Sequence, residues 1–228
     1  MKVAFLHALP FDERMWEPQL EPFSAGHEVH TPKLYELGSS CDEWALGVLQ
    51  AVPGRFVAVG ASMGGYTAAA IARLAPERLQ AIVMVGSRAD ADPPERAPLR
   101  AEWIRIVREQ GGEGLWQAQA KDFFAPGTAP EIVERGHEIA IEQEPEALER
   151  AIVAIRDRLD STEAVTNGVP LLVVGGDADP VIAPAVEEQL AAASSNGRVE
   201  ILEGVGHLPS MERPGEFNGI LSAFLSSL

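Results

Sequence analysis

The sequence predicts an α/β protein with a mostly parallel, wound β-sheet and a small helical cap inserted into it. Three observations predict this class. Short apolar runs alternate with helical patterns, several runs are apolar throughout, and the interval 88–166 contains no convincing strand. Continuously apolar runs are typical of strands buried on both faces of a parallel sheet. Strands that alternate with helices favour a wound sheet.

The elements can be placed from these runs. The strand candidates are residues 2–7, 27–31, 55–60, 80–86, 169–175 and 198–203. The helical patterns outside the long interval are residues 41–52, 64–75, 184–194 and 214–227. The interval 88–166 opens with the polar, proline-rich stretch RADADPPERAP and continues with amphipathic helix patterns. It predicts a helical cap, so that residues 1–87 and 167–228 form the core.

Composition limits the classes of partner. The 228 residues carry a net charge of −16, from 34 acidic and 18 basic residues, which argues against nucleic acid or an anionic membrane surface. No apolar run approaches the roughly 20 residues that a membrane helix needs. The N-terminus is interpreted as a strand, not a signal peptide. The single cysteine, Cys41, excludes an internal disulfide and fits a reducing compartment, so a cytoplasmic location is expected.

Ser62 is the candidate nucleophile. It follows directly on an apolar strand pattern, where ligands bind in open α/β sheets, and Gly60 and Gly64 flank it at the spacing of a nucleophile elbow, G-x-S-x-G. The helix that follows directs free N–H groups towards this turn. The alternative is a tight structural turn that happens to contain a serine.

His207 is the candidate general base, because it lies in a glycine-rich loop just after the last predicted strand. His7 is interpreted as a structural residue that braces the loop after the first strand. The base needs an acid to orient it, and Asp177 and Asp179 both follow the strand 169–175. Either aspartate can instead cap a turn.

Two weaker acid candidates, Asp90 and Asp92, follow the strand 80–86. Whichever acid is used, the order along the chain is Ser, Asp, His, which is the order of one known sheet-based scaffold.

The remaining site candidates concern the oxyanion and the substrate. The backbone N–H groups of Met63 and Leu9 are expected to hold an oxyanion. The substrate-pocket candidates are Trp103, Trp116, Phe123 and Arg88. For most of the aromatic residues a place in the core of the cap is favoured. Arg88, together with Arg105, is a candidate for contact with a negatively charged substrate group, although a solvated charge is the favoured interpretation of both.

Four segments resemble signature segments of the α/β-hydrolase superfamily, in the same order and at similar spacing: LHALPFDERMW, GASMGGY, GGDADPVIAP and GVGHLPSMERPGEF. The chain resembles most its esterase and 3-oxoadipate enol-lactonase-like branch. The resemblance implies an α/β-hydrolase fold shortened at the N-terminus by one or two of the usual eight strands. It also implies Asp179 as the acid, through its spacing from Gly176 and Pro184. Ala8 stands where many relatives carry glycine.

The predicted function is a serine hydrolase that cleaves a carboxylic ester, lactone or thioester of a small-molecule acyl substrate through an acyl-enzyme intermediate. No cofactor is expected, and no metal, because no His, Cys or Asp cluster has ligand spacing. The alternatives on the same scaffold are a carbon–carbon bond hydrolase, an acyltransferase, a perhydrolase or a catalytically inert ligand-binding protein. The sequence does not predict the oligomeric state.

Overall fold

A single six-stranded sheet forms the centre of the molecule in the computed structural model, which describes residues 1–228. The strands are β1 (Lys2–Leu6), β2 (Glu28–His30), β3 (Phe56–Ala61), β4 (Leu79–Val85), β5 (Leu171–Gly176) and β6 (Gly197–Leu202). Their order in the sheet is β2-β1-β3-β4-β5-β6, and every adjacent pair is parallel. The predicted α/β class with a parallel wound sheet is therefore confirmed.

Ten helices accompany the sheet. They are α1 (Glu17–Ser24), α2 (Cys41–Ala51), α3 (Met63–Leu74), α4 (Ala97–Phe123), α5 (Pro130–Ile141), α6 (Pro145–Arg156), α7 (Thr162–Thr166), α8 (Pro184–Ala193), α9 (Pro209–Glu212) and α10 (Pro214–Leu225). The four helices predicted outside the long interval are present as α2, α3, α8 and α10. Helix α1 was not predicted. Its Pro18 occupies the first turn, where proline is tolerated, and Pro22 lies inside the helix and obscures the pattern.

The central strands are apolar throughout because both of their faces are buried. In β3, Val57 and Val59 belong to one hydrophobic cluster, while Phe56 and Ala58 belong to the cluster on the other face. Strand β6 lies at the edge of the sheet, and its exposed and covered positions alternate. Because both faces of the central strands are buried, the carboxyl ends of β3, β4 and β5 have fixed positions.

The chain between β4 and β5 is helical, as predicted, and contains no strand. Helix α4 is kinked at Gly111, which adopts a positive φ of 63°. Leu115 beyond the kink and Leu148 and Ile152 of α6 lie in the same hydrophobic cluster. The division of the chain into a core and a separate cap at 88–166 stays a prediction. None of the helices combines the length and the apolar character that crossing a membrane requires.

Candidate active site

Ser62 alone forms the turn between β3 and α3, because the strand ends at Ala61 and the helix begins at Met63. Its φ of 46° and ψ of −109° make it the only non-glycine residue with a positive φ. A Cβ at Gly60 would lie 2.3 Å from the Gly64 carbonyl oxygen, and a Cβ at Gly64 would lie 2.0 Å from a carbonyl oxygen of β1. The two glycines therefore allow a strained turn that lifts the serine hydroxyl out of the sheet edge.

His207 contacts both Ser62 and Asp179. Its Nε2 lies 2.9 Å from Ser62 Oγ, and its Nδ1 lies 2.7 Å from Asp179 Oδ2. The imidazole and the carboxylate are almost fully buried, at 3% and 6% exposure. Because the carboxylate accepts a hydrogen bond from the Nδ1–H group, the lone pair of Nε2 faces the serine hydroxyl. This arrangement can take the proton of the hydroxyl.

The Asp179 carboxylate is held by two further donors. Its Oδ1 accepts hydrogen bonds from the backbone N–H groups of Val181 (2.7 Å) and Ile182 (3.1 Å), which leaves Oδ2 for His207. Asp177, the other candidate in the same loop, accepts instead from the Gly204 N–H at 2.7 Å. It braces the loop that precedes His207, and it does not contact the imidazole.

The weaker candidates Asp90 and Asp92 bind arginines. Asp90 pairs with Arg88, and Asp92 pairs with Arg100 and Arg158. Of the four aspartates considered from the sequence, only Asp179 contacts His207.

The backbone donors expected at the oxyanion position lie near Ser62. Met63 is the first residue of α3, so its N–H has no acceptor within the helix. The N–H of Leu9 has no acceptor in the protein, and Leu9 lines a cavity together with Ser62 and His207.

The loop that carries Leu9 is held by the buried His7. The Nε2 of His7 accepts from the Leu34 N–H at 3.0 Å, and its Nδ1 donates to the Ala8 carbonyl at 3.2 Å. Burial lowers the pKa of His7, which favours the neutral ring that these two bonds require. These contacts fit the bracing role predicted for His7.

Glu212 is a buried residue that the sequence analysis did not single out. Its carboxylate accepts hydrogen bonds from the N–H groups of Gly206 and Ala125 and from the Thr128 hydroxyl, at 2.8–3.1 Å. It thereby ties the loop before His207 to the segment after α4. The sequence signal was an acidic residue five positions beyond the candidate base and two positions before a proline.

A cavity of about 170 Å³ opens beside the serine and the histidine. Trp103 and Phe123, two of the predicted pocket residues, line it. Polar side chains that the sequence analysis had not proposed for a pocket also line it: Arg96, Arg100, Gln119 and Asp122.

Two predicted pocket residues, Trp116 and Arg88, do not line this cavity. Trp116 packs among aromatic rings instead, with its centroid 5.9 Å from that of Phe123. Arg88 forms a bidentate pair with Asp90, two residues along the chain, which satisfies its charge. Arg105 is exposed and pairs with glutamates of its own helix.

Glu187 is a second buried carboxyl near Asp179. It is 0% exposed, and neither of its carboxyl oxygens has a hydrogen-bond partner. A Cβ at Gly175 would lie 1.7 Å from Glu187 Oε2, so the carboxyl rests against the backbone of β5. Burial, and then the nearby charge of Asp179, raise the pKa of Glu187 to about 8. At neutral pH this group is mainly uncharged.

Residues 3–220 match the Alpha/beta hydrolase family, and the chain belongs to that family. No group of three or more His, Cys, Asp or Glu side chains is arranged to hold a metal ion.

Two curated relatives of this chain are named as a lactonase and an ester hydrolase. The chain is 29% identical over 170 residues to 3-oxoadipate enol-lactonase 2 of Acinetobacter baylyi, an alignment that covers 73% of this chain and 62% of the relative. It is 25% identical to the pimeloyl-[acyl-carrier protein] methyl ester esterase of Citrobacter koseri, over 97% of this chain and 92% of the relative.

Among solved structures, a thermophilic esterase of Thermogutta terrifontis with malate bound has a TM-score of 0.92 and 26% identity. That superposition covers 100% of this chain and 90% of the esterase.

Proposed function

We propose that this protein is a serine hydrolase that cleaves a small carboxylic ester or lactone through an acyl-enzyme intermediate. The observation that carries the proposal is the buried hydrogen-bonded line from Ser62 Oγ through the His207 ring to Asp179 Oδ2. A serine hydroxyl is a weak nucleophile at neutral pH unless a base accepts its proton. Membership of the hydrolase family and the strained Ser62 turn support the same proposal.

In the proposed reaction, Ser62 Oγ attacks the substrate carbonyl carbon while His207 Nε2 takes the hydroxyl proton. Asp179 stabilises the imidazolium that forms. The N–H groups of Leu9 and Met63 donate to the oxyanion, which lowers the energy of the tetrahedral intermediate. As the intermediate collapses, His207 gives its proton to the leaving alkoxide. His207 then takes a proton from a water molecule, whose oxygen attacks the acyl-enzyme, and Ser62 is released with its proton restored.

The size of the cavity supports small substrates. Its volume of about 170 Å³ is close to that of an engineered cavity of ~150 Å³ that holds one benzene molecule. Short acyl groups and small lactones fit such a space better than long acyl chains. The relatives named as an enol-lactonase and a methyl ester esterase support the same bond types.

Covalent labelling tests the proposal. A fluorophosphonate probe is expected to add once to the wild-type protein and to leave Ser62→Ala unlabelled, as measured by intact mass. Ser222→Ala, which removes an exposed hydroxyl on α10, is the matched control and is expected to label normally. If the wild-type protein resists the probe and hydrolyses no short acyl ester, the alternative of an inert ligand-binding protein is favoured.

A further inference from the structure

The cavity beside Ser62 contains hydrogen-bond donors for which the protein supplies no acceptor. Arg96 makes one hydrogen bond, from Nη2 to the Val181 carbonyl at 3.0 Å, and no carboxylate lies within salt-bridge distance of its guanidinium. Gln119 is 5% exposed, and its Nε2 has no partner. Buried donors without acceptors are rare and costly in proteins. The Nε2 of Gln119 is sealed from the cavity, whereas Arg96 reaches the cavity wall, where a ligand can supply an acceptor.

A second observation concerns the charge behind this wall. Arg100 and Arg158 both bind Asp92, at 2.9 Å and 2.7 Å, and all three side chains are at most 4% exposed. Burial of the Asp92 carboxyl opposes its ionisation, but hydrogen bonds from Arg100 and then Arg158 lower its pKa. Two buried guanidinium groups therefore share one carboxylate. This cluster carries an uncompensated positive charge in a protein whose net charge is −16.

The two guanidinium groups of this cluster contact aromatic rings that line the cavity. The Arg158 guanidinium lies over the Tyr66 ring at 4.1 Å, and that of Arg100 lies over the Trp103 ring at 4.6 Å. Both rings, and Arg100 itself, line the cavity. Arg100 binds Asp92 through Nε and Nη2, and its Nη1 makes no hydrogen bond within the protein. Electrostatic interactions are strong in such a water-poor site.

One carboxylate opposes this charge inside the cavity. Asp122 lines it and forms no salt bridge. Three guanidinium groups and two carboxylates lie around the cavity, in addition to the Asp179 carboxylate that binds His207. They belong to Arg96, Arg100, Arg158, Asp92 and Asp122. With Asp179 counted, the three guanidinium groups and the three carboxylates balance, so the preference for an anion rests on the free donors of Arg96 and of Arg100 Nη1. An anion fits this surface better than a cation.

We propose that the substrate of this enzyme is a small ester or lactone that keeps a free carboxylate, and that Arg96 and the Nη1 of Arg100 bind this carboxylate. The inference rests on the proposed serine hydrolase function for the reaction itself. Because the cavity is only about 170 Å³, the carboxylate and the reacting carbonyl are separated by a few bonds.

Three methyl esters of similar length test the charge preference: monomethyl succinate, methyl succinamate and β-alanine methyl ester, which are anionic, neutral and cationic. The wild-type enzyme is expected to show a kcat/KM for monomethyl succinate about tenfold above that for methyl succinamate, the equivalent of one charge-assisted hydrogen bond. Equal values for these two esters, or a preference for β-alanine methyl ester, would overturn the proposal.

Two variants locate the effect. Arg96→Gln is expected to lower the anionic-to-neutral ratio about tenfold, mainly through KM. Asp122→Asn is expected to raise the ratio about threefold, because it removes an opposing charge. Arg105→Gln, the same charge change on the exposed face of α4, controls for net charge and should leave the ratio unchanged. A ratio that Arg96→Gln does not alter contradicts the proposal.

Binding measurements separate this proposal from the proposed function. Succinate is titrated calorimetrically into Ser62→Ala and into Ser62→Ala combined with Arg96→Gln. Weaker binding by about tenfold in the double variant supports the carboxylate site even if no ester is hydrolysed. Hydrolysis of the neutral ester at least as fast as the anionic one, together with succinate binding that does not depend on Arg96, leaves the hydrolase function standing and removes the carboxylate site.

Discussion

The Glu187→Gln substitution is expected to change how the stability of the protein depends on pH. The pKa of this buried carboxyl is raised from 4.5 to about 8, so the native state binds its proton more tightly than the unfolded state does. Its contribution to the free energy of unfolding is therefore fully present below pH 4.5 and is lost as the pH rises through about 8. Glutamine has nearly the same shape and cannot ionise, so the variant should lack this loss.

The size of the effect follows from the shift. The pKa of Glu187 changes by about 3.5 units between the two states (8 − 4.5). At about 1.4 kcal/mol per unit, the wild-type protein loses on the order of 5 kcal/mol relative to the variant across this interval. Neither oxygen of Glu187 has a partner to lose, so the amide should impose only a constant offset, and the slope against pH is the quantity to measure.

Urea unfolding at pH 5, 6, 7, 8 and 9 provides the assay. The free energy of unfolding of Glu187→Gln, minus that of the wild type, should rise by several kcal/mol between pH 5 and pH 9. Glu188→Gln, at the exposed neighbouring position on α8, is the matched control and should track the wild type. Parallel curves for Glu187→Gln and the wild type would refute the reasoning.

Three further substitutions test the parts of the site. Asp179→Asn should lower kcat about 10⁴-fold, because the imidazole loses its acceptor, whereas Asp177→Asn should leave kcat within a few fold; equal losses on a chromogenic ester would contradict the assignment of the acid. Glu212→Ala should lower the free energy of unfolding by about 3 kcal/mol or more, since it leaves buried donors unpaired, while the exposed Glu216→Ala should have little effect in urea unfolding. Gly64→Ala should reduce the yield of folded protein or lower its melting temperature by several degrees, because the new methyl group meets a carbonyl oxygen of β1; an unchanged melting temperature would argue against the tight turn.

The central strands could be predicted because their burial on both faces leaves a signal in the sequence itself. Val57, Ala58 and Val59 are all apolar because neighbouring positions face opposite sides of the sheet and both sides are covered. The same holds for the central strands of such sheets in general. Helix α1 could not be predicted in this way, since Pro22 inside it contradicts the local rule and tertiary packing holds the helix nonetheless.

Part of the candidate site could also be predicted from the sequence, and part could not. Ser62, Asp179 and His207 each follow a strand, and the topology of a parallel sheet brings such positions to one edge. Arg88 does not line the cavity, because an aspartate two residues away binds its guanidinium. Gln119 was missed because the face of α4 that meets the cavity depends on the kink at Gly111 and on packing against distant segments. Arg96, which directly precedes α4, was missed because its place in the cavity wall also depends on such packing.

The bond from the His207 N–H to the carbonyl oxygen of Phe123, at 3.1 Å, fastens the last residue of α4 to the loop that carries the imidazole. Glu212 fastens the next turn of chain to the same loop. A displacement of the second half of α4 would therefore move the loop that carries the imidazole. The half before Gly111, which bears Leu99 and Trp103 on the cavity wall, makes no such bond to that loop. The two halves of α4 are thus anchored differently, the second to the loop that carries His207 and the first to Asp92 through Arg100.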